Sequence, residues 1–142
     1  MGESHFSGEQ HSDQERTFIQ NEEEIVKIQN HHKNISIQIK DALLRNELED
    51  IGDLLHESWE TKRKLGNKIS NPRIDKLYEI GLLNGAYGGR LLGSGGGGYI
   101  LFFFPPKRRN QLVKSLRNAG AEIMEFNFEF DGTKVWSVKN KF

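Results

Sequence analysis

Cysteine is absent from this 142-residue chain, methionine occurs twice and proline three times. Without cysteine there is no disulfide framework and no thiolate ligand for zinc or an iron–sulfur cluster. Long apolar runs are missing as well: the longest, Ile100 to Phe104, falls far short of the roughly 20 residues that a membrane-spanning helix needs. The first residues lack the basic region and apolar stretch of a secretory signal. These features describe a soluble, cytoplasmic protein. Net charge is missing too, at zero overall, which argues against nonspecific nucleic-acid binding. That zero hides a polarity. Residues 1–60 carry 5 basic and 14 acidic side chains, and residues 61–142 carry 15 and 6, so an anionic ligand is favoured by the second half.

Glycine, by contrast, is concentrated. Nine of the fifteen glycines lie between Gly81 and Gly98, and Gly93 to Gly98 is interrupted only by Ser94. Each glycine costs roughly 0.5–1 kcal/mol of backbone entropy relative to alanine in regular structure, so such density needs a reason. A loop without Cβ atoms lets backbone N–H groups converge on an anion, or lets another segment approach closely. Both readings stand at this point.

Residues 1–21 form a polar segment with Phe6, Phe18 and Ile19 as apolar anchors, and residues 22–142 read as one domain. From Glu22, Ile25, Ile28, His32, Ile35, Ile39 and Ala42 recur at steps of three and four, predicting a helix to about Arg45. Leu43 and Leu44 lead to a second set, Leu48, Ile51, Leu55, Trp59 and Leu65, predicting a second helix capped near Gly66 and packed antiparallel to the first. Asn71 and Pro72 mark a third helix start, with Ile74, Leu77 and Tyr78 inward. Ala86 to Leu92 and Tyr99 to Phe104 read as strands, and Lys107 to Ala119 as a helix closed by Gly120, with Leu112, Val113 and Leu116 inside. Met124, Phe126, Phe128 and Phe130 alternate with polar residues, and Asp131-Gly132 signals a hairpin returning over Lys134 to Lys139. The fold class is α+β, with a ferredoxin-like sheet of about four mainly antiparallel strands packed against helices.

The run from Gly93 to Gly98 satisfies G-x-G-x-x-G, yet a strand follows it where a dinucleotide site needs a helix N-terminus, and no Lys-Ser or Lys-Thr completes a Walker loop. The flanks are more specific. Gly85 to Phe103, read together, resembles the third motif of the GHMP kinases, the superfamily of galactokinase, homoserine kinase and mevalonate kinase. His56, Glu57, Ser58, Trp59, Glu60, Thr61, Lys62 and Arg63, with the helix from Pro72, resemble its heptose-phosphate kinase branch.

The resemblance runs from about Gly2 to the end and implies a C-terminal domain whose glycine loop closes against an ATP loop on an N-terminal half. It implies sugar- or phosphate-contacting roles for Arg90, Gly93, Ser94, Gly95, Gly96 and Gly97, with Arg90 standing where the family has lysine. ATP and Mg2+ follow by resemblance and require the N-terminal half, whose motifs have no counterpart in this sequence. The chain alone is therefore expected not to turn over. Its partners would be that half, in cis or in trans, and a sugar or sugar phosphate. Apolar surface left where the half would dock favours a homo-oligomer. The alternative is a free-standing, non-enzymatic module that holds an anion or a partner.

Other candidates read as structural. His31 and His32 lack partners at metal-ligand spacing, and His32 falls on the apolar stripe. His56 is not followed by the second histidine of a zinc protease, Trp59 reads as core, and Lys62 with Arg63, although able to reach an anion, read as a solvated helix end. The basic helix from Lys107 faces water. Ser4, His5 and Ser7 lie, by the resemblance, near the substrate side.

Overall fold

The computed structural model describes residues 22–93 and 95–136. The chain forms helix α1 (Glu22–Arg45), α2 (Leu48–Arg63), α3 (Pro72–Leu83), strands β1 (Gly88–Leu91) and β2 (Ile100–Phe103), a 3-10 turn (Pro106–Arg108) and α4 (Arg109–Asn118). The polar segment 1–21, with Ser4, His5 and Ser7, lies outside the described residues, as do Ser94 and the end of the last expected strand.

Helix α1 buries the expected stripe, with Ile25, Ile35 and Ala42 inside. Asn46 takes a left-handed φ of 59°, a conformation its short polar side chain tolerates, and breaks α1 from α2. Leu43 and Leu44 are exposed beside this turn, so the second apolar set begins at Ile51. Helix α2 ends at Arg63 with Lys64 as its cap, two residues short of the cap expected near Gly66. Helix α3 starts as predicted: Asn71 is extended, and its side-chain oxygen accepts from the Ile74 N–H at 2.9 Å, with Pro72 in the first turn.

β1 and β2 pair antiparallel, with Gly88 opposite Phe103 and Arg90 opposite Leu101. Two clusters fill the space around them. Trp59, Ile69, Ile74, Tyr78 and Leu91 form one, and Ala86, Leu112 and Leu116 the other, with Phe102 packed against both. Tyr78 ties helix to sheet: its hydroxyl donates to Gly89 O at 3.1 Å and accepts from His56 Nδ1–H at 2.8 Å.

The α+β class holds, but the expected sheet of about four strands is corrected: the sheet of the described residues has two. From Ala121 to Trp136 no strand forms. The alternation is still visible, because the rings of Phe126 and Phe128 meet edge to face at 5.7 Å and those of Phe128 and Phe130 at 6.4 Å. Period two fixes which side chains share a face, whereas a strand also needs a neighbour to complete its ladder. Among the described residues nothing pairs with this segment, and Phe130 is 91% exposed.

Helix α2 lies unusually close to β1. A Cβ on Gly88 would stand 1.9 Å from Gly52 O, and one on Gly52 would stand 2.1 Å from the Tyr87 Cβ. We expect Gly88→Ala to lower stability by about 3 kcal/mol, since neither backbone can retreat; urea denaturation measures it. A second expectation concerns alkali. Burial pushes the Tyr78 phenol up to about 12, so its stabilising share is intact below the ordinary value of 10.0 and is lost as pH rises from there towards 12. In Tyr78→Phe, denaturation midpoints followed across that window should fall less steeply than in the parent.

Candidate functional site

The glycine loop joins the two strands and needs its glycines for different reasons. Gly93, Gly95, Gly96 and Gly98 have φ of 86°, 123°, 72° and 108°, which L side chains rarely adopt. Gly95 is also pressed on Ile69, where a Cβ would come within 2.8 Å of the Ile69 Cα. Gly97 is different. It has no left-handed φ, and a Cβ there would meet nothing within 4 Å.

The loop is anchored by its carbonyls. Asn71, already the cap of α3, donates from Nδ2 to Gly96 O at 3.1 Å, while Gly96 N–H donates to Ile69 O at 3.0 Å. From α2, Lys62 Nζ donates to Leu91 O at 3.3 Å and, more closely, to Gly93 O. The amides of Gly97 and Gly98 meet no acceptor among the described residues. Both residues are exposed.

Beneath the loop lies a cluster of positive groups. Arg90, half-buried on β1, donates to Ser58 Oγ at 2.6 Å, and His32 Nε2–H donates to Ser58 O at 3.1 Å. Burial holds the Lys62 ammonium below its ordinary value, and the Arg90 guanidinium adds to that; burial likewise lowers Arg90. His32 is lowered by burial and by the charges of Arg90, His31 and Lys62, against the bond to Ser58 that raises it. Among the described residues no carboxylate stands within ion-pair distance of Lys62 or Arg90. The contrast with Arg63 is plain: one residue on, it pairs with Glu60 at 2.9 Å and Asp75 at 3.2 Å. Polar hydroxyls and carbonyls thus solvate the cations without neutralising them, which leaves the region receptive to an anion.

The structure brings Arg90, Gly93, Gly95, Gly96 and Gly97 together at one end of the sheet. Ser94 falls outside the described residues. Lys62 is the candidate that sequence reasoning considered for an anion and set aside as a solvated helix end. Instead of ending a helix in solvent it is 7% exposed, and a signal was available: Ile51, Leu55, Ser58, Trp59 and Lys62 lie on one helical stripe, where an unpaired lysine is unusual. His32 and Trp59 are packed as expected, Trp59 completely. His56 serves Tyr78. Among the described residues no three metal-ligating side chains gather, and no helix is long and apolar enough to cross a membrane. Two surface depressions lie away from the loop, one beside Arg109 and Glu125 and one at the α1–α2 turn.

The two loop glycines separate packing from ligand approach. Gly95→Ala should cost about 2 kcal/mol, from its backbone conformation and its contact with Ile69. Gly97→Ala should change stability by less than about 1 kcal/mol. Thermal unfolding of both variants checks this.

Comparison with known proteins agrees with this geometry. Residues 39–122, more than half of the chain, match the family described as GHMP kinases C terminal. The D-glycero-alpha-D-manno-heptose 7-phosphate kinase of Campylobacter jejuni is 30% identical over 106 residues, covering 75% of this chain and 31% of that kinase. Mevalonate kinase from L. major, in complex with R-mevalonate, superposes with a TM-score of 0.70 at 20% identity, over 80% of this chain and 34% of its own. Mevalonate kinase from methicillin-resistant Staphylococcus aureus gives 0.59 at 27% identity, over 68% and 32%. The chain thus spans about a third of the length of the relatives it matches. A strand–glycine loop–strand unit clasped by α2 and α3, together with the family match across it, establishes that the chain belongs to the GHMP kinases, as their C-terminal domain.

Proposed function

We propose that this chain is the phosphate- or sugar-contacting C-terminal part of an ATP-dependent sugar kinase of the heptose-phosphate type, inactive without an N-terminal half. One observation carries the reading: the exposed Gly97 and Gly98, whose amides meet no described acceptor, belong to a loop whose first carbonyl is held by buried Lys62, with half-buried Arg90 on the strand before it, and no described carboxylate neutralises either cation. The Campylobacter jejuni relative is named a heptose 7-phosphate kinase, and this supports a sugar phosphate as the ligand class.

Phosphoryl transfer asks a protein mainly to position its reactants and to stabilise charge spread over phosphate oxygens. Here Arg90 would meet a phosphate with the guanidinium N–H groups not spent on Ser58, a planar fork in place of the family's point ammonium. Gly97 and Gly98 would donate from the backbone, and Gly93, Gly95 and Gly96 would shape the loop that presents them. By the family resemblance, the metal and the nucleotide would be held with the other half. ATP would supply the transferred phosphoryl group there.

Two measurements test the reading. Inorganic phosphate added to the purified chain should shift the Gly97 and Gly98 amide resonances, and Arg90→Ala should weaken that binding roughly tenfold, the loss of one charge-assisted contact. Gly97→Ala should weaken it too while leaving the fold intact. Mixed with a separately produced N-terminal half, ATP and a heptose phosphate, the chain should restore sugar phosphorylation. A mixture that stays inactive despite normal folding of both parts would count against the kinase reading and leave a free-standing anion-binding module.

A further inference from the structure

Lys62 holds the most unusual position of any charged side chain in the described structure. It is 7% exposed, projects from α2 across to the sheet, and places its ammonium on the carbonyls of Leu91 and Gly93, the last residue of β1 and the first of the loop. A buried ammonium without a carboxylate is costly, and an apolar residue of similar volume would remove that cost. Packing therefore gives no account of the charge.

The carbonyls suggest what the charge does. An anion approaching a backbone loop is attracted by N–H groups and repelled by C=O groups, so a loop binds anions only when its carbonyls are turned away. Three oxygens in and beside this loop are occupied by protein donors: those of Leu91 and Gly93 by Lys62, and that of Gly96 by Asn71. Asn71 has its own place as the α3 cap, whereas Lys62 reaches the loop's entry from a different helix. The geometry points to Lys62 as a positioning residue for phosphate binding, one that holds the Leu91 and Gly93 carbonyls inward so that the Gly97 and Gly98 amides face a phosphate monoester. Its charge reinforces that of Arg90 from below without itself touching the ligand. The inference rests on the proposed phosphate-binding role of the loop, and its test is arranged so that the two can fail separately.

The whole chain is compared with Lys62→Met and Arg90→Ala by amide hydrogen exchange and by titration with inorganic phosphate. The reporter of loop docking is the Gly96 N–H, bonded to Ile69 O, and the control is the Tyr87 N–H, bonded to Phe103 O at the far end of the sheet. In Lys62→Met, Gly96 should exchange about tenfold faster and phosphate affinity should fall by a similar factor, while Tyr87 stays protected. In Arg90→Ala, phosphate affinity should fall with Gly96 still protected. A merely structural lysine would loosen Tyr87 and Gly96 together, and that result overturns the proposal, as does a Lys62→Met chain with parental Gly96 exchange. If the parent binds no phosphate, the function proposed above falls, yet Gly96 exchange still decides whether Lys62 holds the loop. Should Lys62→Met fail to fold, Lys62→Gln takes its place, with a shorter uncharged donor. Parental Gly96 exchange and phosphate affinity in Lys62→Gln would equally overturn the role assigned to the ammonium.

Discussion

The closest approach between helix and sheet, Gly52 against Gly88, sets the geometry on which the candidate site depends. With no Cβ on either residue, the backbone of α2 rests directly on that of β1. From this point the two elements run in the same direction. Ten helical residues carry the chain about 15 Å from Gly52 to Lys62. β1 and Leu92 carry it up to about 17 Å from Gly88 to Gly93. The two lengths nearly match, so the lysine arrives beside the carbonyl that closes β1 and opens the loop. Part-way along, Ser58 meets Arg90 for the same reason. A side chain at the starting contact would tilt the helix away, and the displacement would be largest at the loop.

That geometry brings like charges together in a partly buried place. His32, Lys62 and Arg90 gather around Ser58 and the loop, and burial disfavours the charged form of each. Elsewhere the chain treats its cations in the ordinary manner: Arg63, Arg45 and Arg109 lie near the surface beside carboxylates. The acidic excess of the first sixty residues is available to the cluster, since both α1 and most of α2 belong to it, yet Glu57 and Glu60 pair with His31 and Arg63 instead. The local excess of positive charge is thus a feature of placement, not of composition. A ligand phosphate would offset it at the point where a protein carboxylate otherwise would.

Much of the helical framework was legible because periodicity and capping act locally. The α1 stripe, the Asn71–Pro72 start and the Gly120 stop after α4 each follow from a few adjacent residues. The glycine loop was legible as well, since no other residue tolerates four left-handed positions so close together. What failed was information that lives between elements. Alternation in Met124 to Phe130 made neighbours of the rings but said nothing about a pairing partner, and the half-buried strand it predicted does not form: these side chains stay exposed. Lys62 was assigned by its residue type to solvent, although its position on the stripe of Ile51, Leu55 and Trp59 assigned it inward; the position decided. Arg90 was found from its neighbours in the loop motif, but its bond to Ser58 depends on the Gly52–Gly88 contact, which no local pattern encodes.

The two classes of loop glycine bear on how much of a site this domain can provide. Gly95 is held by Ile69, so its lack of a side chain is accounted for by the fold, and it supports the reading in which the loop simply packs closely. Gly97 has neither a strained φ nor a neighbour within reach of a Cβ, so nothing inside the described structure explains its identity. The proposed function would explain it by a group that approaches the loop's exposed side. Lys62 on the loop's first carbonyl and Arg90 on the preceding strand would favour an anionic group there, and the open surroundings of Gly97 would leave most of its surface uncovered by this domain. Small ligands are usually held by burying most of their surface, which one exposed loop cannot do. On that proposal a further protein surface would complete the site; the relatives are about three times as long as this chain.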